Sequence, residues 1–346
     1  MNRTKDTHRL TRLECSALRC IAIVSIMLHN FLHKLPGAAQ ENEFAYNVSN
    51  DIYFRQSIIS SDFLIHLFSY WGHLGVPLFV FLSGYGLALK YDGQEHIEWK
   101  GFIGSHYRKL FFPLLFGTLA FLAVMLVKDG NVHFSVARFV FQCTMLLNII
   151  YPYEQNITPG PYWYFGMTMQ LYLVYLFVIH RRPAKYMIGI TLVSIVFMGL
   201  LAHDTHRILI WTKYNVLGWM MQLVLGVLVT RYSFCIQFLS ARLKAALVFL
   251  CMLPILILCG RSYYLWLMTP VVVLLMGIAF VKFVPSLVWE IVRIIGDISL
   301  YILIVHPIIR EVTLPLSTSW GYWSLIAYVT VTLTISLIVA KLVRRE

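Results

Sequence analysis

Charge is what this sequence has least of. Only 13% of its 346 residues are Asp, Glu, Lys or Arg, against ~25% in an ordinary soluble domain. With 59% apolar residues and a mean hydropathy of +0.72, no soluble fold of this size hides enough apolar surface, so the solvent must be largely lipid. Negative charge is scarcer still: 16 acidic against 28 basic residues give a net +12. In a soluble protein that excess points to nucleic acid. Here it reads as loops held at one membrane face and attracted to anionic lipid, with no nucleic-acid partner. A second use, gripping a polyanionic small substrate, stays open. The six cysteines (15, 20, 143, 235, 251 and 259) have neither metal nor disulfide-framework spacing, so they read as small core residues and no metal is expected. Ser83 lacks a Gly-x-Ser-x-Gly elbow, which argues against a serine nucleophile there. No polar stretch is long enough for a soluble catalytic module, so 1–346 reads as a single membrane domain.

What is there is a succession of apolar runs. A spanning helix needs about 20 mainly apolar residues. Ten stretches qualify approximately: 14–33, 64–89, 110–127, 162–180, 186–202, 208–229, 245–260, 264–282, 296–310 and 321–342. An eleventh, 134–150, is shorter and interrupted by Arg138, Gln142 and Asn148. If it does not span, twenty of the 28 Lys and Arg fall on the side of the N-terminus, leaving Lys34, Arg55, Lys128, Arg138, Arg207, Lys213, Arg261 and Arg310 outside. If it spans, Arg181, Arg182, Lys185 and the basic tail face outward. The positive-inside rule therefore predicts an all-α integral membrane protein of about ten transmembrane helices with both termini cytoplasmic. Segment 134–150 is then re-entrant or interfacial. The N-terminal run followed by Pro36-Gly37-Ala38-Ala39 resembles a signal peptide, but that run carries the residues with the best chemical case.

Polar groups inside lipid are costly and mark function by default. His29 lies in the outer third of the first run, and imidazole is the usual general base near neutral pH. A histidine hydrogen-bonded between helices as structural glue is the alternative. Arg19 precedes it by ten residues, about 15 Å of helix, roughly the reach of a pantetheine arm. A guanidinium holding coenzyme A phosphates at Arg19 thus puts a thioester near His29. Arg108 and Lys109, before Pro113, sit at the same side; Pro113 is expected in the first turn of the third span, where its missing N–H costs least. All three cations are equally readable as anchors. Ser83, Gly84 and Gly86 permit close helix packing. Trp163 and Tyr164 form an interfacial belt or a sugar-stacking surface. Ser299 and His306 share one span, His306 near the outer face. The loop 34–63 and residues 151–161 are expected to form a polar, aromatic mouth.

These pieces, in this order, resemble the acyltransferase family 3 of membrane O-acyltransferases. Arg19 to His29 resembles its first-span motif, Phe79 to Tyr85 its Phe-rich run ending Ser-Gly-Tyr, and Arg108, Lys109 and Pro113 its basic pair. Trp163 to Phe165 and Gly296, Ser299, Tyr301 and His306 resemble the last two. One departure is that nine residues separate Arg19 from His29 where the family usually has ten. A separation of ten leaves the two side chains about 80° apart around the helix, to be closed by the length of Arg or by a local bulge.

The resemblance implies a cytoplasmic acyl-CoA donor, acetyl-CoA above all, acting as co-substrate with no tightly bound cofactor. It implies a glycan or lipid-linked sugar acceptor, and a multi-pass cell membrane location, a bacterial inner membrane in the first instance. It also implies that Arg19 and His29 are essential. The expected catalytic pair is His29 and Arg19, the coenzyme A site Arg19, Arg108 and Lys109. The candidate substrate-binding set is Trp163, Tyr164, Ser83, Tyr301 and His306. His29 either removes the acceptor proton or accepts the acyl group itself. A glycan or lipid exporter without acyl-transfer chemistry is the alternative.

Overall fold

The computed structural model describes residues 9–131, 134–150, 158–203 and 207–343, and every regular element among them is helical. In chain order these are α1 (Arg12–Leu32), α2 (Val48–Ser57), α3 (Phe63–Trp71), α4 (Gly75–Tyr91), α5 (Trp99–Asp129), α6 (Val136–Cys143) and α7 (Leu147–Ile150). There follow α8 (Trp163–Val174), α9 (Ala184–Leu200), α10 (Arg207–Tyr214), α11 (Met220–Tyr232), α12 (Phe234–Phe238) and α13 (Arg242–Cys259). The last are α14 (Tyr263–Trp266), α15 (Thr269–Phe283), α16 (Ser286–Asp297), α17 (Ser299–Thr313), α18 (Ser317–Trp320) and α19 (Tyr322–Val343). Eight stretches are long and apolar enough to cross a membrane: α1, α3 with α4, α5, α8 with its flanking turns, α13, α14 with α15, α17 with α18, and α19. Two shorter apolar helices, α9 and Val216–Tyr232, complete the series. The protein is an all-helical, multi-pass membrane protein.

Local chemistry sets where the helices begin. α1 opens on a capping box: the Thr11 side chain accepts from Glu14 N–H at 3.1 Å and Glu14 Oε2 accepts from Thr11 N–H at 2.8 Å, so two otherwise orphaned donors are satisfied. Glu14 also pairs with Lys282 Nζ at 2.7 Å, tying α1 to α15. α1 is central, touching α3, α4, α15, α16 and α17. α4 and α11 cross closely because Gly84 faces the main chain of Leu223 and Gly226 that of Phe81; small residues let backbones approach where no hydrophobic drive exists. Gly86, expected to share that role, meets nothing.

Three expectations need correction. α5 begins at Trp99 rather than near 110, because Glu98 caps it, accepting from Lys100 N–H at 2.8 Å and from Gly101 N–H. Pro113 is therefore inside the helix, where it cannot donate to the Lys109 carbonyl four residues back. The run 208–229 divides into α10 and α11 with a 3-10 turn, Val216–Trp219, between them. Residues 286–295, left between the expected spans 264–282 and 296–310, belong to α16, whose Leu287, Ile291 and Ile294 are exposed while Trp289 and Gly296 are buried, the habit of a helix lying in a membrane interface.

Segment 134–150 folds as α6 and α7 and makes no span. Gln142 Nε2 donates to Thr118 Oγ1 at 2.7 Å and Tyr107 Oη donates to the Cys143 carbonyl at 2.9 Å. Thr118 and Tyr107 lie in the middle of the 31-residue α5, so the α6–α7 turn enters alongside that helix. Gln142 Nε2 and the Cys143 carbonyl thus find protein partners there, the condition for irregular backbone at membrane depth.

Candidate active site

The site grows from the joint between α3 and α4. Gly72–Leu74 form a 3-10 turn there, and it is pressed against α1. A Cβ on Gly72 would lie 2.7 Å from both the His29 Cβ and the Ser25 carbonyl, and one on Gly75 would strike the Ala22 carbonyl. Only glycine lets the backbones meet this closely. The contact brings the Ser69 carbonyl 2.9 Å from His29 Nδ1. A carbonyl can only accept, so Nδ1 carries the proton, and in the neutral ring Nε2 keeps the basic lone pair. His29 is buried. It stacks on His33 at 4.5 Å between centroids and meets the edge of His73 at 5.4 Å.

All three imidazoles line one cavity of about 450 Å³. Its extent follows from α17: Ser299 and Arg310 both line it, and eleven residues of helix rise about 16 Å. The Arg310 end lies beside His29, because Arg310 Nη1 donates to Asn30 Oδ1 at 3.3 Å. α5 runs alongside α17, with Lys128 paired to Glu311 at 3.7 Å and Gly117 facing Ile304. Lys109, which also lines the cavity, therefore lies at the Ser299 end. A cation at one end and an imidazole near the other share a single chamber, walled between them by Tyr164, Thr168, Tyr172 and Phe79.

The sequence-derived residues divide around this chamber. His29, Lys109, Trp163 and Tyr164 line it. Arg19 does not: it pairs with Asp297 at 3.9 Å, two residues before Ser299. α1 is an uninterrupted α-helix, so no bulge closes the angle to His29, and the two side chains face different neighbours. Asp297 also accepts from Ser16 Oγ at 2.7 Å and pairs with Arg293 at 3.2 Å; burial pushes its pKa up, but these hydrogen bonds and cations outweigh that and hold the carboxyl below its usual range. Arg108 is exposed, and its Nε donates to the Gly104 carbonyl of its own helix at 3.3 Å. Ser83 donates to the Phe79 carbonyl at 2.9 Å. Tyr301 is half-buried and packs with the cluster around α1, α5 and α17. His306 is fully buried outside the chamber, its Nδ1 on the Ile302 carbonyl at 2.9 Å.

Part of the expected mouth is present. Gln40, Glu41, Glu43 and Phe44 line the chamber, and Phe44 stacks on Tyr214 at 4.4 Å. Residues 151–157 lie outside the described residues. Farther along the loop, Asp51 pairs with Arg55 at 2.9 Å instead. Lys213 Nζ donates to the Glu43 carbonyl, pinning this loop to α10. Burial pushes its ammonium down to about 8, opposed by the Glu41 and Glu43 carboxylates.

Sequence reasoning passed over His33, His73 and Arg310. His33 carried a signal, since it follows His29 by four residues and shares its helix face. Arg310 was visible only as one of the few outside cations, and His73 not at all, because its place depends on the turn at Gly72.

The chain matches the family model described as an acyltransferase domain over residues 14–343, nearly its whole length. No curated protein and no solved structure matches it. A polytopic helical chain with this match belongs to acyltransferase family 3 and is a membrane acyltransferase.

Proposed function

We propose that the protein transfers an acyl group, acetyl in the simplest case, from cytoplasmic acyl-CoA to a hydroxyl of a cell-surface glycan or glycolipid precursor, at a bacterial inner membrane. The observation that carries this reading is that Lys109 and His29 line one chamber about 16 Å long. Coenzyme A phosphates are held at the Lys109 end, with Arg108 on the same helix and Arg19 beside Ser299. The arm extends past Tyr172, Thr168 and Tyr164, whose hydroxyls suit its amides. The acceptor enters at the His29 end, oriented by Trp163, Phe44 and the charged groups of the 40–43 loop. His29 Nε2 takes the proton of the acceptor hydroxyl, whose oxygen attacks the thioester carbonyl. Collapse breaks the carbon–sulfur bond, and the thiolate recovers the proton from His29.

The test uses purified protein in lipid nanodiscs, acetyl-CoA labelled in the acetyl group, and a lipid-linked oligosaccharide. Wild type is expected to place label in an alkali-labile ester on the sugar, and His29→Ala, folded and inserted, to place none. Undiminished transfer by His29→Ala overturns the reading, as does glycan movement across the membrane with acetyl-CoA left untouched.

A further inference from the structure

We infer that His73 is a further catalytic residue, the hydrogen-bond donor that receives the negative charge of the tetrahedral intermediate; this rests on the acyl-transfer reading above. Attack on a thioester carbonyl moves the π pair onto oxygen. In a water-poor chamber that charge needs a donor already in place, and such donors are among the largest single contributions to acyl transfer.

His73 has the required properties. It lies on the 3-10 turn Gly72–Leu74, which the two close glycine contacts hold against α1. The residue is 4% exposed, and its ring meets His29 edge-on at 5.4 Å between centroids. Among the described residues neither ring nitrogen has a hydrogen-bond partner of full geometry, and the Tyr70 main chain three residues back offers the ring only a weaker polar contact. A buried polar group left without a partner destabilises the fold, so its retention asks for a ligand that completes it. A neutral imidazole always carries one N–H, and neutral imidazoles do serve as electrophiles toward carbonyl oxygen.

The placement fits the direction of the chemistry. A thioester carbonyl seated in the chamber that both rings line has its carbon toward His29, where the acceptor oxygen arrives, and its oxygen toward His73. The acceptor O–H proton passes to His29 Nε2, the new carbon–oxygen bond forms, and the π pair on the carbonyl oxygen is met by the His73 N–H. When the pair returns, the carbon–sulfur bond breaks and the thiolate sulfur takes the proton from His29. His73 keeps its own proton throughout. It also borders a second cavity of about 80 Å³ that Gln222 and Thr269 line as well, large enough for water.

The experiment compares wild type, His29→Ala, His73→Ala, His73→Phe and His73→Gln for kcat, KM for acetyl-CoA and melting temperature. Removing one such donor lowers kcat about 10²–10³-fold. His73→Phe, which fills the space without an N–H, is expected to be as slow as His73→Ala, with KM for acetyl-CoA changed less than about threefold. His73→Gln, which restores an N–H, is expected to recover about tenfold of the rate. A His73→Phe protein within about threefold of wild-type kcat overturns the assignment while leaving the role of His29 intact. A loss shared equally by melting temperature and acetyl-CoA binding, without recovery in His73→Gln, overturns it too. If wild type itself transfers no acyl group, the proposed function fails and this assignment with it.

Discussion

The closest test of the architecture is a single methyl group at Gly72. In Gly72→Ala the new Cβ would sit 2.7 Å from the His29 Cβ and 2.7 Å from the Ser25 carbonyl oxygen. Neither is the free end of a flexible side chain, so the relief must come from backbone. Raising 2.7 Å to the 3.4 Å at which ordinary contact begins requires the turn and α1 to part by about 0.7 Å. Overpacking of this kind costs about 1–3 kcal/mol. The catalytic effect is larger in proportion, because the same movement separates His29 from the Ser69 carbonyl and from His73. A misplacement near 1 Å costs about 10²-fold in rate. The assay is kcat for acetyl transfer beside the melting temperature in nanodiscs. Gly86→Ala is the control: it lies on the exposed face of α4, with nothing within 4 Å. A helical Gly→Ala change there is expected to be neutral or stabilising by about 0.5–1 kcal/mol. If Gly72→Ala keeps both wild-type kcat and wild-type melting temperature, the tight joint does not set the geometry of the site.

Further outcomes follow from single contacts. Lys109→Ala is expected to raise KM for acetyl-CoA about tenfold with a smaller change in kcat, since it removes uniform binding of a phosphate. Arg108→Ala, at an exposed side chain bonded to its own helix, is expected to change it less; equal effects would move the anion site out of the chamber. Tyr162→Phe removes a buried hydroxyl donating to the Ile304 carbonyl at 2.7 Å, and thermal unfolding should show a loss of about 0.6–1.5 kcal/mol without a change in KM. Lys213 titrates near 8 when folded, against 10.5 ordinarily. The folded state thus holds this proton less tightly, and its contribution to stability is present above 10.5 and lost as pH falls through about 8. Wild type is expected to gain stability over Lys213→Met as pH rises from 8 to 10; a pH-independent difference would show that the amine is solvated.

The spans were legible because lipid leaves a long apolar run little choice but a helix: eight of the ten runs hold a helix long and apolar enough to cross, and 186–202 and 208–229 hold shorter apolar helices. Their ends were not. Glu98 caps α5 so that it starts at Trp99, eleven residues ahead of the predicted start at Leu110, since a polar turn of helix projecting from the membrane has no hydropathy signal. α16 went unseen because an amphipathic helix at an interface has the composition of a basic loop. Within the site, His29 and Lys109 were readable as single residues costly to keep near lipid. Their sharing of one chamber with His73 and Arg310 was not, because it depends on tertiary contacts among α1, the Gly72 turn, α5 and α17. Arg19 shows the opposite case. Its spacing to His29 was visible, and so was the angular mismatch, but its partner Asp297 lies 278 positions away.

What separates His29 from His33, His106 and His306 is where Nδ1 sends its proton. In His33, His106 and His306 it goes to the carbonyl four residues back, at 2.6, 2.8 and 2.9 Å. Those rings are oriented by their own helices and keep their orientation wherever the helix moves. In His29 it goes to Ser69 on α3, 2.9 Å away, so the direction of the basic Nε2 depends on two helices staying in register. A base aimed by a neighbouring element is set relative to whatever that element carries, and here it carries His73 four residues farther on. The residue that aims the base and the residue placed to receive the oxyanion thus belong to one continuous stretch, Ser69 to His73, held against α1 at Gly72. Replacing Ser69 alone therefore leaves the aim intact, since its main-chain carbonyl does the aiming, whereas lengthening the turn by one inserted residue after Gly72 is expected to abolish transfer while acetyl-CoA still binds at Lys109.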